Sequence, residues 1–164
     1  METAREFVDL VKEAKAYTST FTLWPRKWAE CVLGTACEWR EFCFEQAHID
    51  EVPNESGVYA FVVKPGISNG PDASYLMYIG QTTRSLRQRF REYISEAQKT
   101  TGRPKIVVLL NQYHGFLHFL CAPLPGVTGL DGIENALLAA YMPPANDQLP
   151  AEIRRVANAF GRRS

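Results

Sequence analysis

The sequence predicts an α/β fold of the α+β kind: a small, three-stranded, mainly antiparallel sheet flanked by helices, with an N-terminal helical arm. Three observations predict it. Residues 58–63 (Val-Tyr-Ala-Phe-Val-Val) form a continuous apolar run, as in a strand covered on both faces. A second run, 75–79, follows a loop dense in Pro, Gly, Asn and Asp, so a long hairpin is the simplest connection. Several later segments carry the apolar spacing of helices, with one more strand-like run at 116–122 between them.

Taken in order, residues 2–17 read as a helix, because Phe7, Leu10, Val11, Ala14 and Tyr17 recur at helical spacing. A short helix over 26–33 follows Trp24-Pro25 and ends at Gly34. The aromatic-rich run 39–44 suits an edge strand, and the acidic 45–56 a loop. After the hairpin, Thr83 is placed as N-cap of a helix over 84–99 with the apolar stripe Leu86, Phe90, Ile94 and Ala97. Residues 104–113 fit either a helix opened by Pro104 or a strand; the helix is favoured. A helix opening at Asp131 must stop before Pro143-Pro144, and 151–160 forms a last helix with Ile153, Val156, Ala157 and Phe160 on one side.

The length, 164 residues, fits one domain with an added arm, divided here into an arm over 1–52 and a main domain over 53–164. No apolar run reaches the roughly 18 residues of a membrane span, and the charged N-terminus has no signal-peptide core, so the chain reads as soluble, intracellular and cytoplasmic. Net charge is zero, with 18 basic and 18 acidic residues, but the basic ones cluster. Arg84, Arg87, Arg89, Arg91, Lys99, Arg103 and Lys105 face only Glu92 and Glu96 over 81–105, and the tail adds Arg154, Arg155, Arg162 and Arg163. A local basic face on a neutral protein suits a phosphate-bearing partner; a merely solvated helix face is the alternative. Cys31, Cys37, Cys43 and Cys121 form no Cys-x-x-Cys pair and read as packed thiols, and Gly115 interrupts the zinc-like spacing of His114 and His118.

One group of residues recurs in a meaningful order: Gly57-Val58-Tyr59 on the first strand and Tyr78-Ile79-Gly80 on the second. Arg89 and Tyr93 follow, one turn apart on the basic helix, then Glu134 opening the later helix, and Asn146 beyond its prolines. Singly, each has a plain structural reading. The tyrosines suit a core and the arginine a surface. Asp131 and Glu134 have the spacing of a capping box, and Asn146 suits the turn after Pro144. As an ordered set over about residues 57–147, they resemble the GIY-YIG nuclease family.

That resemblance implies a metal-dependent endonuclease that hydrolyses phosphodiester bonds in DNA, with double-stranded DNA as partner. The alternatives are an RNA-cleaving effector of the same fold, or a nucleic-acid-binding module without turnover. Tyr59, Tyr78, Arg89 and Glu134 would be catalytic, with Tyr59 as general base and Glu134 holding Mg2+ (or Mn2+). Tyr93, Gln81, Arg84, Arg87 and Arg91 would contact substrate, while Gly57, Gly80 and Asn146 would serve the motif's structure. One glutamate suffices for magnesium, which prefers oxygen ligands and keeps several waters. Arginine offers phosphate a planar, permanently charged fork. A phenol is a poor base unless its surroundings lower its pKa, which Arg89 and a metal would do. The chain departs from the family in its long hairpin loop and in Gln81, where many members carry lysine. The arm, with Trp24, Trp28 and Trp39, is expected to dock on a protein partner or a second copy.

Overall fold

The computed structural model describes residues 2–160; Arg162 and Arg163 of the basic tail lie outside the described residues. Four strands form one antiparallel sheet: β1 (Arg40–Cys43), β2 (Gly57–Val63), β3 (Tyr75–Thr82) and β4 (Leu117–Pro123), in the order β1-β4-β2-β3. The expected hairpin is β2–β3, and the run after the basic helix is β4. The sheet has four strands rather than three because β1, from the aromatic-rich run before the hairpin, pairs with the outer edge of β4.

Strand β2 lies between β3 and β4, and all its residues are buried, which accounts for its unbroken apolar run. Alternation sends its side chains to two separate cores. Tyr59, Phe61 and Val63 meet α3 (Leu86–Ala97) and α4 (Pro104–Gln112) through Leu86, Phe90, Tyr93, Ile106 and Leu109. Val58 and Ala60 meet α5 (Leu130–Tyr141) and α6 (Ala151–Ala159) through Ile133, Leu137, Leu138 and Ile153. The first core is an aromatic cluster in which Phe61 meets Tyr93 edge-on at 5.0 Å and Phe90 meets Phe119 at 5.1 Å. Such contacts fix ring orientation as well as burying area.

Helix α3 starts later than expected. Ser85, not Thr83, is its N-cap, accepting from the Gln88 amide at 3.1 Å. The loop before β2 decides this: the carbonyls of Glu55 and Pro53 take the Leu86 and Arg87 amides, anchoring the helix there. Residues 45–56 are not all loop, since Gln46–Glu51 form a 3-10 turn. Helix α5 begins at Leu130 behind Gly129, whose φ of 82° suits glycine. Asp131 therefore sits inside the first turn, and the Asp131–Glu134 capping box does not form.

Of the expected arm, 1–52, the first part supplies α1 (Ala4–Ala16) and α2 (Pro25–Glu30), while its last part supplies β1 and the 3-10 turn and so belongs to the sheet and its core. Thr3 and Glu6 form a full capping box on α1, yet none of its residues is buried. Its apolar stripe, including Phe7 and Leu10, stays exposed. Phe160 falls just past α6 and is exposed too. Among the described residues no helix is long and apolar enough to cross a membrane.

Candidate active site

The hairpin register builds the site. Tyr59 lies opposite Gly80, and Phe61 opposite Tyr78, so both tyrosines stand on the face covered by α3. Gly80 leaves the space that the Tyr59 ring fills, since a Cβ there would lie 2.5 Å from the Tyr59 hydroxyl. At Gly57 a Cβ would collide with the Ala122 backbone carbonyl across the β2–β4 pair. Both motif glycines are thus required by close approach.

Helix α3 brings Arg89 and Tyr93 onto the tyrosines. Arg89 Nε donates to Tyr59 Oη at 3.1 Å, Nη2 to Tyr93 Oη at 3.1 Å, and Nη1 to Glu92 Oε2 at 2.8 Å. From the start of α4, Arg103 Nη1 donates to Tyr78 Oη at 3.1 Å and Nη2 to Tyr93 Oη at 3.2 Å. The Tyr59 and Tyr93 oxygens are 3.0 Å apart. A phenol oxygen has one proton and two acceptor sites. Both acceptor sites of Tyr93 are taken by arginines, so its proton goes to Tyr59. Tyr59 then accepts from Arg89 and Tyr93, and its own proton has no acceptor within the group.

Burial, with the neighbouring Tyr78 second, pushes the Tyr59 phenol above the ordinary tyrosine range, and Arg89 only partly opposes it. The expectation that Arg89 would bring Tyr59 down is thus corrected: the ring is 1 % exposed, and desolvation outweighs one guanidinium. Burial also raises Tyr78 and Tyr93. For Arg89 and Arg103 burial works against the charge, but the phenol oxygens more than offset it, so both stay cationic.

Glu134 approaches from the other side of the sheet. It shares a cavity of about 490 Å³ with Tyr78, Arg103, Ile106, Asn146 and Arg154. Ile106 comes from one helical layer and Glu134 from the other, so the cavity straddles β3, an edge strand. Tyr59, Arg89 and Tyr93 lie behind Tyr78 rather than on this wall. Burial, then the charge of Asp131, raises the Glu134 carboxyl above its usual range.

The remaining expected residues divide. Gln81 Nε2 donates to Asp131 Oδ1 at 2.8 Å, while Gln81 Oε1 is buried without a partner. Asn146 clamps the free edge of β3, accepting from the Ile79 amide at 2.9 Å and donating to its carbonyl at 2.8 Å. Arg84 is turned back onto Glu92 through both Nη atoms. Arg87 donates to the Val52 and Asp50 carbonyls and so ties α3 to the 3-10 turn rather than facing solvent as a phosphate contact. Arg91 is exposed.

Two participants were not singled out from the sequence, Arg103 and Glu92. Arg103 was visible only as one of several cations; the Gly102-Arg103-Pro104 break hinted at a fixed position, but nothing local says what it reaches.

The donor set can be tested against a divalent ion. Among the described residues no group of three or more His, Cys, Asp and Glu side chains converges as a metal site. What is present is the half-buried Glu134 carboxylate, unfavourably charged beside Asp131, with the exposed Asp147, already paired with Lys105, on a cavity wall that also carries side-chain amides. That fits a hard ion retaining most of its water, and does not fit zinc. No protein-family model matches the chain, and no curated protein and no solved structure matches it either.

Proposed function

We propose that this protein is a divalent-metal-dependent endonuclease of the GIY-YIG type, acting on DNA. One observation carries the reading: Tyr59, Tyr78 and the Arg89–Tyr93 pair, from three separate elements, are joined with Arg103 in one hydrogen-bonded group, and Tyr78 and Arg103 share a cavity with Glu134. Plain core tyrosines need no two arginines among them, and burying guanidinium groups is costly without acceptors.

In this reading the scissile phosphate sits at the Tyr78–Arg103 wall. Arg103 and Arg89 supply positive charge that strengthens as charge builds on the phosphate. Tyr59 acts as general base on the attacking water, with its oxygen aligned by Arg89 and Tyr93. When its proton leaves, its oxygen is still held by the Arg89 Nε–H and the Tyr93 hydroxyl. Because burial raises its pKa, the phenolate needs added positive charge to form near neutral pH, which a bound divalent ion would supply. Glu134 would hold Mg2+ or Mn2+, which supplies Lewis-acid stabilisation of the phosphate and leaving oxygen when bound. Asn146, Gly57 and Gly80 keep the strands in register. Arg91 remains as an exposed phosphate contact.

The test is incubation of the purified chain with supercoiled plasmid, linear duplex and RNA, each with magnesium or chelator. Magnesium-dependent nicking or linearisation, lost in Glu134→Gln, is the expected result. Cleavage of RNA alone would assign the effector reading, and metal-independent cleavage would remove Glu134 from its role.

A further inference from the structure

Arg103 is placed with more care than a surface arginine needs. It caps α4, with Pro104 in the first turn fixing the chain direction. Gly102 lets the preceding loop press against α3: a Cβ there would lie 2.7 Å from Val107 Cγ2 and 2.8 Å from Glu96 Cγ. Glu96 Oε1 accepts the Arg103 amide at 3.3 Å and lies 3.6 Å from its Nε. With backbone and side chain both held, the fork spans two phenols, and its Cζ lies 5.8 Å from the Tyr78 ring centre and 5.7 Å from that of Tyr93.

Its two bonds have different consequences. The bond to Tyr78 holds that oxygen on the wall of the Glu134 cavity. The bond to Tyr93 fills the second acceptor site of that phenol, the first being filled by Arg89. With both sites filled, Tyr93 must donate to Tyr59. Without Arg103, Tyr93 regains an acceptor site, and the Tyr59 proton can turn inward to it.

We propose that Arg103 is the positioning residue of this site: by bridging Tyr78 and Tyr93 it fixes the direction of the phenol chain, so that Tyr93 donates to Tyr59 while the Tyr78 hydroxyl, accepting from Arg103 on the cavity wall, keeps its own proton for a bound phosphodiester. The proposal rests on the nuclease reading for its role in turnover. The bridge itself is a property of the free protein.

The experiment places a fluorotyrosine at position 78, which acidifies the phenol and reports its ionisation by fluorine NMR. The titration is run on the parent chain, Arg103→Gln and Arg103→Lys, without nucleic acid, with thermal unfolding as the control for folding. Loss of the bridging cation in Arg103→Gln should raise the midpoint by about one pH unit or more. Arg103→Lys keeps charge but loses the two-pronged bridge, and should raise it by a smaller amount. Single-turnover cleavage should slow by roughly tenfold or more in Arg103→Gln, with its pH dependence displaced in the same direction. A residue that merely supports the fold would lower the unfolding temperature and leave the midpoint in place. An unchanged midpoint in folded Arg103→Gln overturns the proposal; if that variant does not fold, an unchanged midpoint in Arg103→Lys does so. Absence of cleavage by the parent chain would remove the nuclease reading, while the midpoints would still decide whether Arg103 controls Tyr78.

Discussion

Arg89 uses all three guanidinium nitrogens on different acceptors: Tyr59, Tyr93 and Glu92. Its fork is therefore fixed before any substrate arrives, and fixed donors aimed at developing charge lower a barrier more than mobile ones do. Lysine in its place keeps the charge but cannot reach both phenols. Arg89→Lys should slow single-turnover cleavage by roughly a hundredfold, while duplex affinity, measured on the same preparation, changes far less. If affinity collapses and the saturated rate holds, Arg89 is a binding residue and the catalytic reading of the group fails. Tyr59, Tyr78, Arg89 and Tyr93 were legible in the sequence because motif order survives whatever the tertiary structure does; Glu92 and Arg103, which complete the group, were not. What a charge faces was not. Arg84, Arg87 and Arg91 look alike in sequence, but Glu92 claims the first and two carbonyls of the 45–56 segment claim the second. Those partners come from other parts of the fold and leave no mark on the local pattern. The same holds for Tyr59, whose burial depends on α3 lying across it.

Helix α3 is where fold and site meet. Leu86 and Phe90 of its buried face were readable from 3.6-residue spacing, but Tyr93 completes that face, while Ile94 and Ala97 of the expected stripe are only partly buried. Its start was not readable, because the anchoring carbonyls of Glu55 and Pro53 lie in a segment without periodicity. The hairpin and the last helices were legible for a related reason: turn-rich loops and prolines mark their ends. Strand β1 is short and draws its stability from pairing with β4, which local propensity cannot register. The two ends of α3's basic face now predict different outcomes. Arg87→Ala removes two charge-assisted bonds between the helix and the 3-10 turn, and should cost about 1–3 kcal/mol in denaturant unfolding. Its effect on the salt dependence of DNA binding should be small. Arg91→Ala should leave stability nearly unchanged and reduce the log–log salt slope by about one. A slope change in Arg87→Ala without any loss of stability would mean that its carbonyl bonds yield to phosphate.

The molecule as a whole sets the proposed catalytic carboxylate apart from the phenols. The sheet separates two cores; the tyrosine–arginine group belongs to one, Glu134 to the helix layer of the other, and they meet only around the β3 edge. Asn146 seals that edge by bonding both backbone groups of Ile79, so the strand carrying Tyr78 cannot drift relative to α5. The arrangement has a cost in the free protein. Glu134 is half-buried beside Asp131, and its pKa is raised by burial first and by that charge second. For a carboxyl raised in the folded state, the native protein binds more protons than the unfolded chain between the two pKa values. Stability therefore falls as pH rises from the unfolded pKa through the folded one, and stays lower above it. Glu134→Gln removes the charge while nearly keeping the shape, so the metal-free variant should unfold at a higher temperature than the parent at neutral pH, with the difference vanishing in acid. A divalent ion relieves the same strain by binding only the folded state. Magnesium at about ten times its dissociation constant should raise the parent Tm by roughly 2–6 °C, and leave Glu134→Gln unmoved. The two effects share one carboxylate but need no substrate, so thermal unfolding with magnesium and with chelator reads them without any nuclease assay. If magnesium stabilises both proteins equally, the ion binds elsewhere, and Glu134 is a buried carboxylate without a metal.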